Sequence, residues 1–284
     1  MTRPELVDEL FLDKQWVKYL KDSDNINCAV MFSGGKDSAL TLGILDRIGM
    51  NVEALHFVNK WTWSLSTSES KRICDILGIK LNIYDITEDF VSNVVGKVEG
   101  RPCTYCKSIM DRKTAEFCLT NDFRWIAEGD NAMDSSIKRI REYESKRGNP
   151  NLFISRYLDC VELGEELPES LEVIRPLIDM EPEYTEDLLL KAFGIKVNKT
   201  HEIGDKYEFY WREGCSLQYI ESGTPLTEEV MDMVFDLNSK ATDYAKQHGI
   251  RSSVYFPSRR IVTIPQGFED DVRDYVEGYI TEIG

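Results

Sequence analysis

Six consecutive residues, SGGKDS at positions 33–38, combine two glycines, two hydroxyls, an ammonium and a carboxylate. They lie between an apolar run and a helix-like stretch. Glycines let the backbone approach an anion closely, and the following helix offers free N–H groups and the positive end of its dipole. The residue types therefore predict a phosphate-binding turn. The spacing matches neither G-x-x-x-x-G-K-[ST] nor G-x-G-x-x-G.

A second polar segment, EGDNAMDS at 128–135, also follows an apolar run. Gly129, Asn131 and Asp134 are small or polar residues at the predicted end of a strand. Asn131 or Asp134 could cap the helix that follows, and the same side chains could line a bound ligand. Both roles are compatible.

The chain has seven cysteines, an odd number that disfavours a disulfide framework. Cys103 and Cys106 form a C-x-x-C pair at the start of a predicted helix. We expect the helix N-terminus, Arg101 and Lys107 to stabilise thiolates there. Cys215 is a third candidate ligand. The cysteines interpreted as core residues lie in apolar or amphipathic runs: Cys28, Cys74 and Cys118.

Three thiols leave more than one metal chemistry open. Structural zinc requires four ligands, and the fourth would have to be Cys160 or His201. A [4Fe-4S] cluster usually takes four thiolates, so three would leave one iron open. A redox dithiol is the third alternative. We rank the cluster first, zinc second and the dithiol third.

Alternating strand and helix patterns must position these residues. Strands are predicted at 27–32, 52–58, 80–86 and 123–129, with helices at 37–48, 68–78 and 106–120 between them. This order predicts an α/β fold with a parallel sheet, whose ligands lie at the carboxyl ends of the strands. We expect an insertion or linker at 145–171 and a fifth strand at 172–178.

We predict two domains, 1–178 with an N-terminal amphipathic helix and 179–284 as a smaller α+β domain. The second has predicted helices at 185–194, at 227–248 and from residue 267, with two β-prone runs at 252–256 and 259–265. Apolar residues make up 42% of the chain, and no apolar run approaches the ~18 residues of a membrane span. The first residues lack the apolar centre of a signal peptide, so we expect a cytoplasmic protein without membrane contact. A net charge of −16 disfavours a nucleic-acid partner, although 135–148 is locally basic.

The first loop resembles the S-G-G-x-D-S signature of the PP-loop ATP pyrophosphatases, and the second resembles their G-x-N-x-x-D segment. The resemblance implies that the first loop holds the pyrophosphate of ATP, assisted by Lys36. It also implies that Asp37 and Asp134 lie near magnesium. The residues it assigns to the nucleotide are Ser33, Gly34, Gly35, Lys36, Asp37, Ser38, Gly129, Asn131 and Asp134.

Two further segments resemble the LarE family of sulfur insertases. RPCTYCK at 101–107 is similar to R-C-x-Y-C-K, and CSLQYIESGTPLT at 215–227 is similar to C-L-A-S-R-I-x-x-G-T-P-[IV]-T. The resemblance implies an ATP-dependent sulfurtransferase with a PP-loop domain. It assigns Cys103, Cys106 and Cys215 to a [4Fe-4S] cluster. Tyr219 stands where that family has arginine.

The resemblance implies two steps. An oxygen of the acceptor attacks MgATP, and sulfur then replaces AMP. The expected catalytic residues are Lys36, Asp37 and Cys215. Expected partners are a small molecule or cofactor precursor, a sulfide or other sulfur donor, and a second copy of the chain. The alternatives are a tRNA thiolase of the TtcA or TtuA type and a zinc-stabilised PP-loop amide ligase.

Overall fold

The computed structural model describes residues 2–97, 101–159, 167–197, 201–203, 206–208 and 215–283. The helices are α1 (Glu5–Phe11), α2 (Gln15–Lys21), α3 (Lys36–Arg47), α4 (Ser64–Leu77), α5 (Thr87–Val94), α6 (Pro102–Thr120), α7 (Ser136–Lys146), α8 (Pro182–Phe193), α9 (Glu228–His248) and α10 (Glu269–Ile283). The strands are β1 (Asn27–Met31), β2 (Asn51–Val58), β3 (Lys80–Asp85), β4 (Trp125–Ala127), β5 (Ile154–Ser155), β6 (Glu172–Ile174), β7 (His201–Ile203), β8 (Lys206–Glu208), β9 (Arg251–Val254) and β10 (Ile261–Ile264).

Six strands form one sheet in the order β3-β2-β1-β4-β6-β5. β1 pairs in parallel with β2 and β4, and β4 pairs in parallel with β6, while β5 is antiparallel to β6. The predicted α/β fold with a mostly parallel sheet is confirmed. Strand order reverses at β1, so the loops after β1 and β4 open at the usual ligand position of such a sheet.

Both faces of the central strand β1 are buried, as is typical of parallel strands. Cys28 and Val30 of β1 belong to one core, together with apolar side chains of α1, α2, α3 and α8. Ala29 belongs to the other core, which includes Cys118 of α6. Cys28 and Cys118 are fully buried, which confirms their interpretation as core residues.

The chain divides into two compact units: Met1–Phe57 with Thr67–Tyr84 and Lys107–Val197, and Val58–Ser66 with Asp85–Cys106 and Asn198–Gly284. This division differs from the predicted boundary at 178 because α8 belongs to the first unit. Gly43 of α3 lies against Phe193 of α8, where a Cβ on Gly43 would be 2.6 Å from the Phe193 ring. Separate functions for 1–178 and 179–284 stay a prediction.

The second unit has its own core, in which α9 packs with α10 and the antiparallel β9–β10 pair. Thr227 caps α9 by accepting a hydrogen bond from the N–H of Val230 at 3.3 Å. The predicted long helix at 227–248 corresponds to α9, and the two β-prone runs correspond to β9 and β10. These predictions are confirmed. Of the helices described, none is long and apolar enough to cross a lipid bilayer.

Candidate functional site

The loop after β1 is a compact turn that leads directly into α3. Gly34 has a φ of 76°, a left-handed conformation that suits glycine. The hydroxyls of Ser33 and Ser38 are 3.2 Å apart, and the N–H of Gly35 donates to Ser33 Oγ at 3.3 Å. Because α3 begins at Lys36, this turn places two hydroxyls beside a helix N-terminus, an arrangement that suits phosphate.

The loop after β4 is in backbone contact with the first turn of α3. A Cβ added to Gly129 would lie 2.7 Å from the backbone nitrogen of Ser38 and 2.9 Å from the carbonyl carbon of Asp37. Real Cβ atoms essentially never approach that closely, so only glycine fits here. The structure therefore brings the two predicted nucleotide loops together through Gly129.

The two loops carry the two predicted magnesium ligands, Asp37 and Asp134. Burial raises the pKa of Asp134, and the charge of Asp37 raises it further, while the N–H of Asn131 lowers it. That N–H donates to Asp134 Oδ2 at 2.6 Å. Two carboxylates held close together repel each other unless a cation lies between them, so this pair suits Mg²⁺.

The Lys36 ammonium bonds to Asp37 and α8, whereas it was predicted to assist the first loop in holding pyrophosphate. Its ammonium donates to Asp37 Oδ1 at 2.6 Å, to the carbonyl of Pro182 at 3.0 Å and to Thr185 Oγ1 at 2.9 Å. These three bonds use all the donors of an ammonium. The structure thus places Lys36 behind Asp37, where it can act on a bound phosphate only through that carboxylate.

A buried ionic network supports the loop after β4. Glu128, the first residue after β4, accepts hydrogen bonds from both Lys107 and Arg175. Arg175 also donates to Asp130 at 2.7 Å and to Ser155 Oγ at 2.6 Å. Lys107 therefore pairs with Glu128, and its predicted effect on the neighbouring thiolates stays a prediction.

We expect Glu128→Gln to lower the free energy of unfolding by about 3 kcal/mol at neutral pH, because it leaves the buried Arg175 and the partly buried Lys107 without their shared carboxylate. Burial alone would raise the pKa of Glu128, but Lys107 and Arg175 lower it below its usual 4.5. The stabilisation is therefore complete above pH 4.5 and is lost as the pH falls through the lowered pKa.

Urea unfolding of the wild type and Glu128→Gln at several pH values tests this expectation. The exposed Glu116→Gln is the control, since Glu116 makes one surface ion pair at 3.7 Å. Equal stability of wild type and Glu128→Gln at pH 7 would contradict the prediction.

The three candidate metal ligands all belong to the second unit. Cys103 and Cys106 lie in the first turn of α6, and Cys215 precedes a short 3-10 helix, Ser216–Tyr219. Burial raises the pKa of the Cys103 thiol, and Arg101 opposes that shift only in part. Arg101 and the backbone at the start of α6 lower this pKa, in the predicted direction, and the thiolate itself stays a prediction.

No group of three or more His, Cys, Asp or Glu side chains is placed to hold a metal within the residues that the structure describes. The cysteine ligand set stays a prediction. The two residues considered as a fourth ligand, Cys160 and the side chain of His201, lie outside the described part of the chain.

Neighbouring residues hold Cys215 firmly. Its backbone forms a bridge with Thr62, its Sγ accepts from the N–H of Leu217 at 3.5 Å, and its thiol donates to Asn59 Oδ1 at 3.7 Å. Burial, and to a smaller extent the charge of Cys103, raise the pKa of Cys215 to about 12.

Three residues that support the candidate site were not predicted from the sequence: Asn59, Arg175 and Thr185. Asn59 follows β2 and Arg175 follows β6, so their positions directly after strands could have indicated a role. Thr185 lies on α8, which the predicted boundary at 178 assigns to the other domain. No local signal pointed to it.

Comparisons with known proteins agree with this geometry. A model of the tRNA methyl transferase HUP domain matches residues 26–143, which include both nucleotide loops. Over 242 residues the chain is 31% identical to the uncharacterized protein MJ1016 of Methanocaldococcus jannaschii, covering 84% of this chain and 81% of that protein.

A second relative is the tRNA-5-methyluridine(54) 2-sulfurtransferase of Pyrococcus horikoshii, with 35% identity over 123 residues. The match spans 42% of this chain and 39% of that enzyme. Among solved structures, the U34-tRNA thiolase NcsA of Methanococcus maripaludis, determined with its [4Fe-4S] cluster, shares 18% identity at a TM-score of 0.45. That match covers 82% of this chain and 74% of the thiolase.

Proposed function

Because the chain belongs to the PP-loop ATP pyrophosphatase superfamily and to the same family as the uncharacterized protein MJ1016, we propose that it is an ATP-dependent sulfurtransferase. The name of the Pyrococcus relative supports this reaction class. The observation that supports the proposal most directly is the contact of Gly129 in the second loop with the backbone of Asp37 and Ser38 in the first.

In the first step, an oxygen of the acceptor attacks the α-phosphorus of MgATP. A new P–O bond forms, the bond from the α-phosphorus to the bridging oxygen breaks, and pyrophosphate leaves with that electron pair. Ser33, Ser38 and the glycine amides between them are the donors that would hold pyrophosphate. Asp37 and Asp134 would hold the magnesium, and Lys36 would fix Asp37. The acceptor is left as its adenylate.

In the second step, hydrosulfide attacks the activated carbon of the adenylate. A C–S bond forms, the C–O bond to AMP breaks, and the sulfur proton passes to solvent, so no oxidant or reductant is consumed. Asn59 and Leu217 fix the position of the Cys215 thiol, which we propose as a catalytic group of this step.

The donor chemistry of Cys103, Cys106 and Cys215 fits an iron–sulfur centre, since all three are thiols of one compact unit. These residues would hold a [4Fe-4S] cluster. When bound by three thiolates, such a cluster supplies one iron open to sulfide. Zinc and a redox dithiol are the alternative uses of the same cysteines.

Two classes of acceptor remain in the proposal. The name of the Pyrococcus relative favours tRNA. A net charge of −16 favours a small molecule or cofactor precursor, as in the LarE resemblance. Retention of tRNA with a steep salt dependence would identify the first class, and its absence would favour the second.

Anaerobic reconstitution with iron and sulfide tests the cysteine set. We expect the wild type to bind about four iron atoms per chain and to show charge-transfer absorbance in the visible range. Cys103→Ala should lose both signals, whereas Cys74→Ala, which removes a buried thiol of α4, should keep them. Stoichiometric zinc without iron would favour the amide ligase, and equal iron binding by Cys103→Ala would contradict the assignment.

A further inference from the structure

We propose that Thr185 is a positioning residue of the nucleotide site, which holds the Asp37 carboxylate in the orientation that binds the magnesium of MgATP. The inference rests on the proposed function, because it concerns the metal bound by Asp37. Thr185 lies on α8, 148 residues after Asp37 in the chain. Its side chain is completely buried in the first unit.

A closed set of hydrogen bonds joins Thr185 to the start of α3. The Thr185 hydroxyl lies 2.7 Å from Asp37 Oδ1 and 2.8 Å from the carbonyl of Pro182. The Lys36 ammonium lies within 3.0 Å of the same three groups: Asp37 Oδ1, Pro182 O and Thr185 Oγ1. Lys36 is itself buried, so its charge depends on these acceptors.

Counting protons fixes the direction of these bonds. A hydroxyl has one proton, and the carboxylate is a stronger acceptor for it than a carbonyl. Lys36 supplies the proton for the Pro182 carbonyl, so Thr185 is free to donate to Asp37 Oδ1. Asp37 Oδ1 then accepts two hydrogen bonds. Among the described residues Oδ2 has none, which leaves that oxygen for a cation.

The packing of α8 makes this orientation rigid. α8 begins at Pro182, so Thr185 lies in its first turn. At the other end of the helix, the Phe193 ring fills the space that a side chain at Gly43 would occupy. Leu188 and Leu189 are buried between these ends. Thr185 is therefore held against α3 by a helix fixed along its whole length.

A buried threonine could also serve stability alone. Thr114 of α6 provides the comparison, because it is equally buried and its hydroxyl donates to the carbonyl of Met110 at 2.9 Å. Thr114 contacts neither nucleotide loop. Loss of the Thr114 hydroxyl should lower the stability of the fold without changing the nucleotide site. The Thr114 variant therefore distinguishes a stabilising role from a positioning role.

The test compares Thr185→Val, Thr185→Ser and Thr114→Val with the wild type. Binding of MgATP is measured by calorimetry over a range of free Mg²⁺, and thermal unfolding is recorded for each protein. We expect Thr185→Val to require at least about ten times more Mg²⁺ for half-maximal ATP binding, since the carboxylate loses its orienting donor. Thr185→Ser should restore the wild-type requirement, and Thr114→Val should not change it.

An unchanged Mg²⁺ requirement in folded Thr185→Val would overturn the inference, as would an equal shift in Thr114→Val. If Thr185→Val does not fold, Thr185→Ala, which also lacks the hydroxyl, takes its place and is judged by the same Mg²⁺ requirement. Failure of the wild type to bind MgATP at all would overturn the proposed function, and the inference with it.

Discussion

Asp37→Asn is expected to reduce the formation of AMP from ATP by about 10²–10³-fold. The substitution keeps the shape of the side chain and removes the negative charge that we propose binds magnesium together with Asp134. It also leaves the buried Lys36 ammonium, now 2.6 Å from Asp37 Oδ1, without its counterion. Magnesium binding and the local packing should therefore both weaken.

The rate of AMP and pyrophosphate release at saturating ATP measures this effect. Asp13→Asn, at an exposed position near the N-terminus, is the control and should retain the wild-type rate. Cys215→Ser supplies a second comparison, because it should lose sulfur transfer while keeping ATP binding. A fully active Asp37→Asn would refute the role of the first loop.

Gly129→Ala is the second substitution with a large expected effect. The new Cβ would lie 2.7, 2.9 and 3.0 Å from three backbone atoms of Asp37 and Ser38, and backbone cannot move aside cheaply. We expect a loss of about 2 kcal/mol in the free energy of unfolding. MgATP affinity should fall by at least about ten-fold, because separating the loops also separates Asp134 from Asp37.

Chemical unfolding and MgATP titration of the same samples measure the two effects. Gly278→Ala on the exposed face of α10 is the matched control, since nothing lies within 4 Å of a Cβ added there. It should be neutral or slightly stabilising, because alanine favours helix over glycine. Wild-type affinity in Gly129→Ala would show that the nucleotide does not require the contact of the two loops.

The first nucleotide loop and the sheet around it could be predicted because their signals are local. SGGKDS follows a fully apolar strand, and glycine, hydroxyl and carboxylate side chains in one turn between a strand and a helix are typical of a phosphate-binding loop. The burial of β1 on both faces likewise follows from its composition. These features depend on neighbours within about ten residues.

Features that depend on distant contacts could not be predicted. The partners of Lys36 come from α8, about 150 residues away, and Lys107 pairs with Glu128 across two secondary-structure elements. The amphipathic pattern at the N-terminus predicted one helix, whereas the structure has α1 and α2, separated where Lys14 adopts an extended conformation. Amphipathic periodicity shows which residues are buried but not where tertiary packing interrupts a helix.

The most direct test of the proposed sulfurtransferase activity follows ATP labelled at the α-phosphate together with radioactive sulfide. The wild-type protein is incubated with magnesium and, in separate samples, with total tRNA or a small-metabolite fraction. We expect the phosphate label to appear in AMP, with sulfur incorporated into one acceptor fraction in equal amount. Formation of ADP and phosphate, or AMP without any incorporated sulfur, would contradict the proposed function.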